Sequence, residues 1–161
     1  MWQQVPLDTA EALILKENAR TRFGKPRAIG EGMTPSELRE RLADFAAAVA
    51  RHARPLFRRA ETLNTASQLT RAASSAMANH RSAGRARSHA EFTSKLNVAV
   101  EEIDECQGWL KYLEQAGDVS AEAFVEHSRL YAEATELTAI LTASLNTARR
   151  REKAERTRAR R

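Results

Sequence analysis

The feature that most constrains the fold is an apolar row between positions 92 and 113, whose steps alternate strictly between four and three residues. This spacing places every member of the row on one face of an α-helix. Ser88 and Glu91 form a capping box before the row, and Gly117 supplies a stop signal after it. The pattern therefore predicts one long helix, whose inward residues are Phe92, Leu96, Ala99, Ile103, Cys106, Leu110 and Leu113.

Three further segments show a helical period. The first follows a capping box at residues 34–37 and ends near Pro55. The second runs from about 61 to 81, and its small inward residues imply close helix packing. The fourth follows a cap at Ser120 and runs into the arginine-rich end of the chain. The predicted inward residues are Leu38, Leu42, Phe45, Val49, His52 and Leu56 in the first helix, Ala66, Leu69, Ala73 and Ala76 in the second, and Phe124, Tyr131, Ala134, Leu137, Leu141 and Leu145 in the fourth.

Four helices joined by short links predict an all-α fold, an antiparallel up-down four-helix bundle at residues 34–148. The composition agrees, because only 6 Gly and 4 Pro interrupt a chain that is 42% hydrophobic.

Residues 1–33 lack a sustained period and are predicted to form a loosely ordered N-terminal arm. Since Met33 directly precedes the first helix, a start of the native product at that residue is the alternative. Residues 149–161 are predicted to form a basic C-terminal tail.

The sequence predicts no catalytic, metal or cofactor site. The four histidines are scattered along the chain, and His52 and His80 take positions where packing residues are expected. Cys106 is the only cysteine and belongs to the inward row of the third helix, so we expect a small buried side chain in a protein of the cytoplasm. Residues 1–20 lack the apolar run of a signal peptide or membrane span. We therefore expect a cytoplasmic protein that is not an enzyme and carries no cofactor.

Charge is segregated along the chain. Residues 51–90 carry eight Arg and a single Glu, whereas residues 91–136 carry eleven acidic residues and three basic ones. Residues 149–161 carry eight basic residues and two acidic ones. A protein that binds nucleic acid without reading its sequence needs basic groups concentrated on one surface. The predicted contacts with RNA or DNA phosphates are Arg81, Arg85, Arg87, Arg149, Arg150, Arg151, Lys153 and Arg156.

Other interpretations of these basic segments stay open. The loop arginines, Arg85 and Arg87, could belong to a solvated turn or pair with carboxylates of the third helix. The tail could serve only to increase solubility, as basic ends of many proteins do.

A second row of residues lies beside the inward row of the third helix. It keeps the same spacing, but a bundle core needs only one such stripe. The row could lie across the edge of its own bundle, or it could contact another subunit, and a head-to-tail contact of unlike surfaces forms a ring. The acidic face of this helix could instead dock a partner protein, which makes a protein-interaction scaffold the alternative function. The predicted subunit contacts are Val98, Glu102, Glu105, Trp109 and Tyr112.

Two motifs carry a family resemblance. Gln68, Arg71, Ser75 and Asn79 match a Q-x-x-R-x-x-x-S-x-x-x-N run, and the stretch RARSHAEF at residues 85–92 matches the loop and helix start that follow it. From about residue 35 to residue 149 the chain resembles bacterial four-helix-bundle proteins encoded in intervening sequences of large-subunit ribosomal RNA genes.

That family is linked to the accessory variability determinant proteins of diversity-generating retroelements, which look like pentameric barrels that bind RNA and a reverse transcriptase. The resemblance implies a non-enzymatic homo-oligomer, a ring such as a pentamer, that binds RNA or DNA. It also implies a reverse transcriptase as a candidate protein partner.

Overall fold

The structure is a computed structural model, and it describes residues 33–159. This range contains four α-helices, α1 (Pro35–Ala53), α2 (Leu63–Ala83), α3 (His89–Gln115) and α4 (Phe124–Ala159), with a short 3₁₀ helix at Leu56–Arg58. Within the same range there is no strand, and no helix is both long and apolar enough to cross a membrane. The prediction of an all-α four-helix fold is confirmed. The predicted N-terminal arm lies outside the described residues, apart from Met33.

The ends of α3 form as the sequence predicts. The hydroxyl of Ser88 accepts a hydrogen bond from the backbone N–H of Glu91 at 3.1 Å. At the other end Gly117 has a φ of 74°, a conformation that glycine adopts without steric cost. The backbone N–H of Asp118 then donates to the carbonyl oxygen of Leu113 at 3.0 Å. This is a Schellman motif, and it ends the helix before the turn toward α4.

The predicted inward rows of the first three helices agree with the observed core. Every residue of these rows is buried except His52 and Phe92, which are half-buried. The helix ends differ from the prediction by about two residues, because α1 stops at Ala53 and α2 spans residues 63–83. Cys106 is fully buried, and burial raises the pKa of its thiol, so it behaves as the small core side chain that was predicted.

The predicted inward row of α4 is wrong at its first position. Phe124 is 44% exposed and is the first residue of the helix. The helix begins only after a turn, in which the hydroxyl of Ser120 accepts a hydrogen bond from the backbone N–H of Ala123 at 3.3 Å. Phe124 and the half-buried Tyr131 share a face that is rotated away from the core. The predicted residues Ala134, Leu137, Leu141 and Leu145 are buried, and His127, Leu130 and Ala148 face the core in addition.

Contacts between neighbouring helices join early residues of one helix to late residues of the other, or the middle of one helix to the middle of the other. The carbonyl oxygen of Leu110, late in α3, lies 2.9 Å from Nε2 of His127, early in α4. Between α2 and α3, the hydroxyl of Ser75 donates to Glu102 at 2.8 Å. The Cys106 sulfur lies 3.9 Å from the carbonyl oxygen of Leu69, so its side chain reaches the α2 backbone. The small buried residues of α2 permit this close approach.

An ion-pair cluster joins α1 to α4. The Arg41 guanidinium contacts both carboxylate oxygens of Glu133, at 2.5 and 2.8 Å, and a carboxylate oxygen of Glu136 at 2.5 Å. The side chain of Glu133 is only 7% exposed and that of Arg41 is 13% exposed. Hydrogen bonding to Glu133 raises the pKa of the guanidinium although burial opposes the charged form. The cluster therefore ties the first helix to the last at a largely buried position.

Candidate functional site

The basic loop and the start of the basic tail lie at the same end of the bundle. His89 is the first residue of α3, and its Nε2 lies 2.9 Å from the carbonyl oxygen of Ala148 in α4. Because the loop that carries Arg85 and Arg87 directly precedes α3, this contact places the loop beside the point where the tail begins. The sequence predicts both segments as phosphate contacts, and the structure adds the contact that places them side by side.

The tail is a continuation of α4 as far as the structure describes it. Among the described side chains of this helix, Ala148 is the last buried one, and the helix continues to Ala159. At 1.5 Å per residue, the exposed part is about 16 Å long. Arg156 pairs with Glu152 at 2.6 Å, an i,i+4 contact that supports the helix. The side chains exposed along it include Arg149, Arg150, Arg151, Lys153 and Arg156.

Most of the predicted phosphate contacts are not neutralised within the described part of the chain. Arg87 pairs with Glu91 at 3.3 Å, yet its side chain is 90% exposed. Apart from this pair and Arg156–Glu152, the predicted residues form no ion pair with any described residue. Solvent-exposed cations of this kind bind phosphate with release of counterions. The residues without an ion pair to any described residue are Arg81, Arg85, Arg149, Arg150, Arg151 and Lys153, although Arg149 donates a hydrogen bond to Asn97 at 2.8 Å and Arg150 one to Thr147 at 3.4 Å.

A second group of arginines, at positions 51–59, lies at the opposite end of the bundle. Arg59 Nη2 lies 2.8 Å from the Asp118 carboxylate, which joins the link between α1 and α2 to the turn beyond α3. These arginines are therefore separated from the loop and the tail by the length of the helices. The basic end, which we define as residues 81–87 together with 149–158, is the larger concentration of positive charge.

The second row of α3 contacts α2 of the same chain. Glu105 accepts from Arg71 at 3.3 Å and from the indole N–H of Trp109 at 2.9 Å. Glu102 accepts from Ser75 at 2.8 Å, and its second oxygen is buried without a hydrogen-bond partner among the described residues. These contacts suit a row that lies across the edge of its own bundle. Val98 is half-buried, whereas Tyr112 is 52% exposed and remains accessible for the predicted subunit contact.

The motif residues of α2 take part in this same network. The Arg71 guanidinium donates to Gln68 at 3.1 Å as well as to Glu105, and the Asn79 amide donates to the Ser75 hydroxyl at 3.2 Å. All four motif residues lie on one face of α2 because their steps are three, four and four. The network was not predicted from the sequence, although the spacing of the motif residues was a signal for it. Its role is to align α2 and α3.

Large exposed apolar side chains cluster at the end opposite the basic end. They lie in the 3₁₀ helix, at the start of α2, in the last turn of α3 and at the start of α4. Aromatic residues bordered by charges are enriched at protein interfaces. We call this set the apolar end, and its members are Phe57, Leu63, Tyr112, Phe124 and Val125.

Two histidines that are distant in the sequence meet beside the apolar end, which corrects the expectation that the histidines are scattered. Nε2 of His52 lies 3.0 Å from Nδ1 of His127. Since the carbonyl oxygen of Leu110 can only accept, Nε2 of His127 donates to it, and Nδ1 of His127 must accept from His52. His80 is not the satisfied packing residue that was expected, because its buried Nδ1 has no hydrogen-bond partner among the described residues. Within residues 33–159, no three His, Cys, Asp or Glu side chains converge as a metal site.

This histidine pair predicts a loss of stability in acid. Burial, followed by the charge of His127, lowers the pKa of His52 to about 4, and burial also lowers the pKa of His127. A histidine in the unfolded chain takes up its proton near pH 6.5, so the unfolded state binds more protons between pH 6.5 and about 4. Stability therefore falls as the pH falls through this window. We expect the free energy of unfolding to decrease by roughly 2 kcal/mol, allowing for solvent screening of the half-buried ring.

The His52→Gln variant isolates this effect, because its amide can still donate to His127 but does not titrate. Urea unfolding of both proteins across the same pH range should give a smaller decrease for the variant. Identical pH profiles would show that the histidine pair does not control acid stability.

The fold and the basic end together define the class of this molecule, an all-α four-helix protein with a concentrated cationic surface. Within that class, the chain belongs to the 23S rRNA-intervening sequence protein family, whose profile matches residues 36–143. The basic tail lies beyond the matched residues. The family predicted from the residue motifs is thus confirmed, whereas the further link to accessory variability determinant proteins stays a prediction.

One solved structure supports the same fold. It is the crystal structure of a protein of unknown function from the S23 ribosomal protein family of Bacteroides thetaiotaomicron VPI-5482. The two chains are 24% identical and superpose with a TM-score of 0.63, over 71% of this chain and 99% of the other. No curated protein shows significant similarity to this chain.

Proposed function

We propose that this protein is a non-enzymatic homo-oligomer that binds RNA or DNA phosphates through its basic end. The observation that carries the proposal is the contact between His89 and Ala148, since it brings the arginine loop beside the helical tail. Phosphate binding that is independent of sequence requires this kind of concentrated positive charge. A family named for an intervening sequence of 23S rRNA is compatible with a nucleic-acid partner, and RNA is therefore the first ligand to test.

The apolar end supports the oligomeric part of the proposal. A second copy of the chain that covers Tyr112 and Phe124 would remove exposed aromatic surface from water. Tyr112 also belongs to the predicted subunit contact on α3. Association through this end leaves the basic end of each copy accessible to nucleic acid. A pentamer and a reverse transcriptase partner remain what the resemblance implies.

The acidic face of α3 is less suited to the alternative, a protein-interaction scaffold. Two of its carboxylates, Glu102 and Glu105, already accept hydrogen bonds from α2. A partner protein would have to replace these contacts or bind beside them. Burial places the Cys106 thiol and the His127 ring out of contact with a substrate, which supports the non-enzymatic part of the proposal.

A salt titration tests the proposed function. We expect binding of a labelled RNA or DNA to weaken steeply with KCl, with a log–log slope of about −0.7 to −0.9 for each phosphate contact. Fluorescence anisotropy measures the affinities, and light scattering on the same sample gives the mass, which should be a multiple of 18.0 kDa. Absence of binding at low salt, or a flat salt dependence, would overturn the nucleic-acid function. A mass of one chain would overturn the oligomer.

A further inference from the structure

A groove lies within the basic end, between the first turn of α3 and the part of α4 that leads into the tail. Its volume is about 600 Å³ and it is open to solvent. One wall carries two rings, and the other carries hydroxyl groups and a guanidinium. The lining residues that supply these groups are His89, Phe92, Ser144, Thr147 and Arg151.

The ring wall is held in place by α3 and α4. The centroids of His89 and Phe92 are 6.2 Å apart, with an angle of 38° between the ring planes. The bond from the His89 ring to the carbonyl oxygen of Ala148 fixes the orientation of the imidazole. Both rings are half-buried, so part of each is accessible from the groove. Accessible and immobilised rings of this kind are the usual platform for stacking of a nucleobase.

The opposite wall supplies hydrogen-bond acceptors. Ser144 donates its hydroxyl proton to the carbonyl oxygen of Ile140, and Thr147 donates to that of Ala143, both at 2.9 Å. With those protons used within α4, the hydroxyl oxygens can accept from the amino group of a base edge. Arg151 lines the same groove, and Arg87 lies two residues before His89. Arg151 is therefore placed to contact a phosphate beside a base in the groove, and the exposed Arg87 is close in sequence to the ring wall.

We propose that this groove binds an unpaired base of a single-stranded nucleic acid, stacked on Phe92 and His89, while Arg87 and Arg151 contact the neighbouring phosphates. The proposal rests on the proposed function and adds its ligand class. Bases inside a duplex are paired and stacked on each other, and only an unpaired base can enter the groove. The charge of the basic end explains phosphate binding by any nucleic acid, but it does not account for the two ordered rings. The rings therefore predict that a strand with bases binds more tightly than a strand that offers only phosphates.

An abasic oligonucleotide separates the two contributions, because it keeps the phosphates and lacks the bases. At fixed salt, we expect the full-length protein to bind a base-bearing single strand about tenfold or more tightly than an abasic strand of equal length. The Phe92→Ala variant should bind both strands with the affinity of the abasic one. The Phe92→Leu variant keeps an apolar side chain at this half-buried position and should lose most of the preference while remaining folded. Both RNA and DNA strands are measured by anisotropy.

The matched control is Tyr131→Leu, which replaces a half-buried aromatic side chain of α4 outside both the basic end and the apolar end and should keep the full preference. Equal affinities of the unmodified protein for base-bearing and abasic strands would overturn the stacking site while leaving phosphate binding intact. A preference that survives both changes at Phe92 would overturn it as well. If neither strand binds at low salt, the proposed function fails together with this inference. In the two outcomes above, by contrast, nucleic acid still binds and only the stacking site is overturned.

Discussion

Replacing Glu133 with alanine is expected to lower the free energy of unfolding by about 3–5 kcal/mol, a large fraction of the stability of a small domain. Glu133 is 7% exposed, and both of its carboxylate oxygens contact the Arg41 guanidinium. Removal of the carboxylate leaves a guanidinium that is only 13% exposed without its main partner. The cost is that of a nearly buried charge left with only the half-exposed Glu136 as a counter-ion, and it exceeds the loss of one hydrogen bond.

Two further variants separate this explanation from a general effect of substitution in α4. Glu136 contacts the same guanidinium, but its side chain is 49% exposed, so Glu136→Ala should cost less than about 1 kcal/mol. The double variant Arg41→Met/Glu133→Met removes both charges and should recover most of the lost stability. Urea unfolding followed by circular dichroism measures all three. If Glu133→Ala is as stable as Glu136→Ala, the ion pair between Arg41 and Glu133 does not stabilise the contact between α1 and α4.

The helices with an uninterrupted apolar row could be predicted from the sequence because their signals agree with one another. In α3 the row, the Ser88 cap and the Gly117 stop all indicate the same segment, and the structure places it at residues 89–115. In α4 the signals conflict. Phe124 is apolar and follows a cap, but the core-facing positions pass through His127 and Leu130. Apolar character alone therefore assigned the wrong face to the first turn.

Contacts between distant segments could not be predicted, because they depend on how the helices are placed side by side. The pairing of His52 with His127 requires the end of α1 to face the start of α4. The convergence of the arginine loop with the tail likewise requires His89 to reach the backbone of Ala148. The charge of each segment is a property of the sequence, whereas its concentration at one end is a property of the fold.

The tail variant Arg149→Gln/Arg150→Gln/Arg151→Gln is expected to weaken RNA or DNA binding by roughly 100-fold at low salt. Each lost phosphate contact should also reduce the magnitude of the salt slope by about 0.7 to 0.9. Glutamine is a good helix former, so the helical tail should persist. All three arginines are exposed and form no ion pair with a described residue, so little stability should be lost. Anisotropy titrations at several salt concentrations measure both quantities.

The chain offers a control of identical charge, Arg51→Gln/Arg54→Gln/Arg58→Gln, at the opposite end of the bundle. The helices separate the two ends by roughly 30 Å, about three Debye lengths at 0.1 M salt, so this control should change binding only slightly. An equal loss in both variants would mean that net charge, rather than the basic end, attracts the nucleic acid. Unchanged binding in the tail variant, with a partner protein still captured, would favour the scaffold. The comparison is decisive because both variants remove the same charge and differ only in where the fold places it.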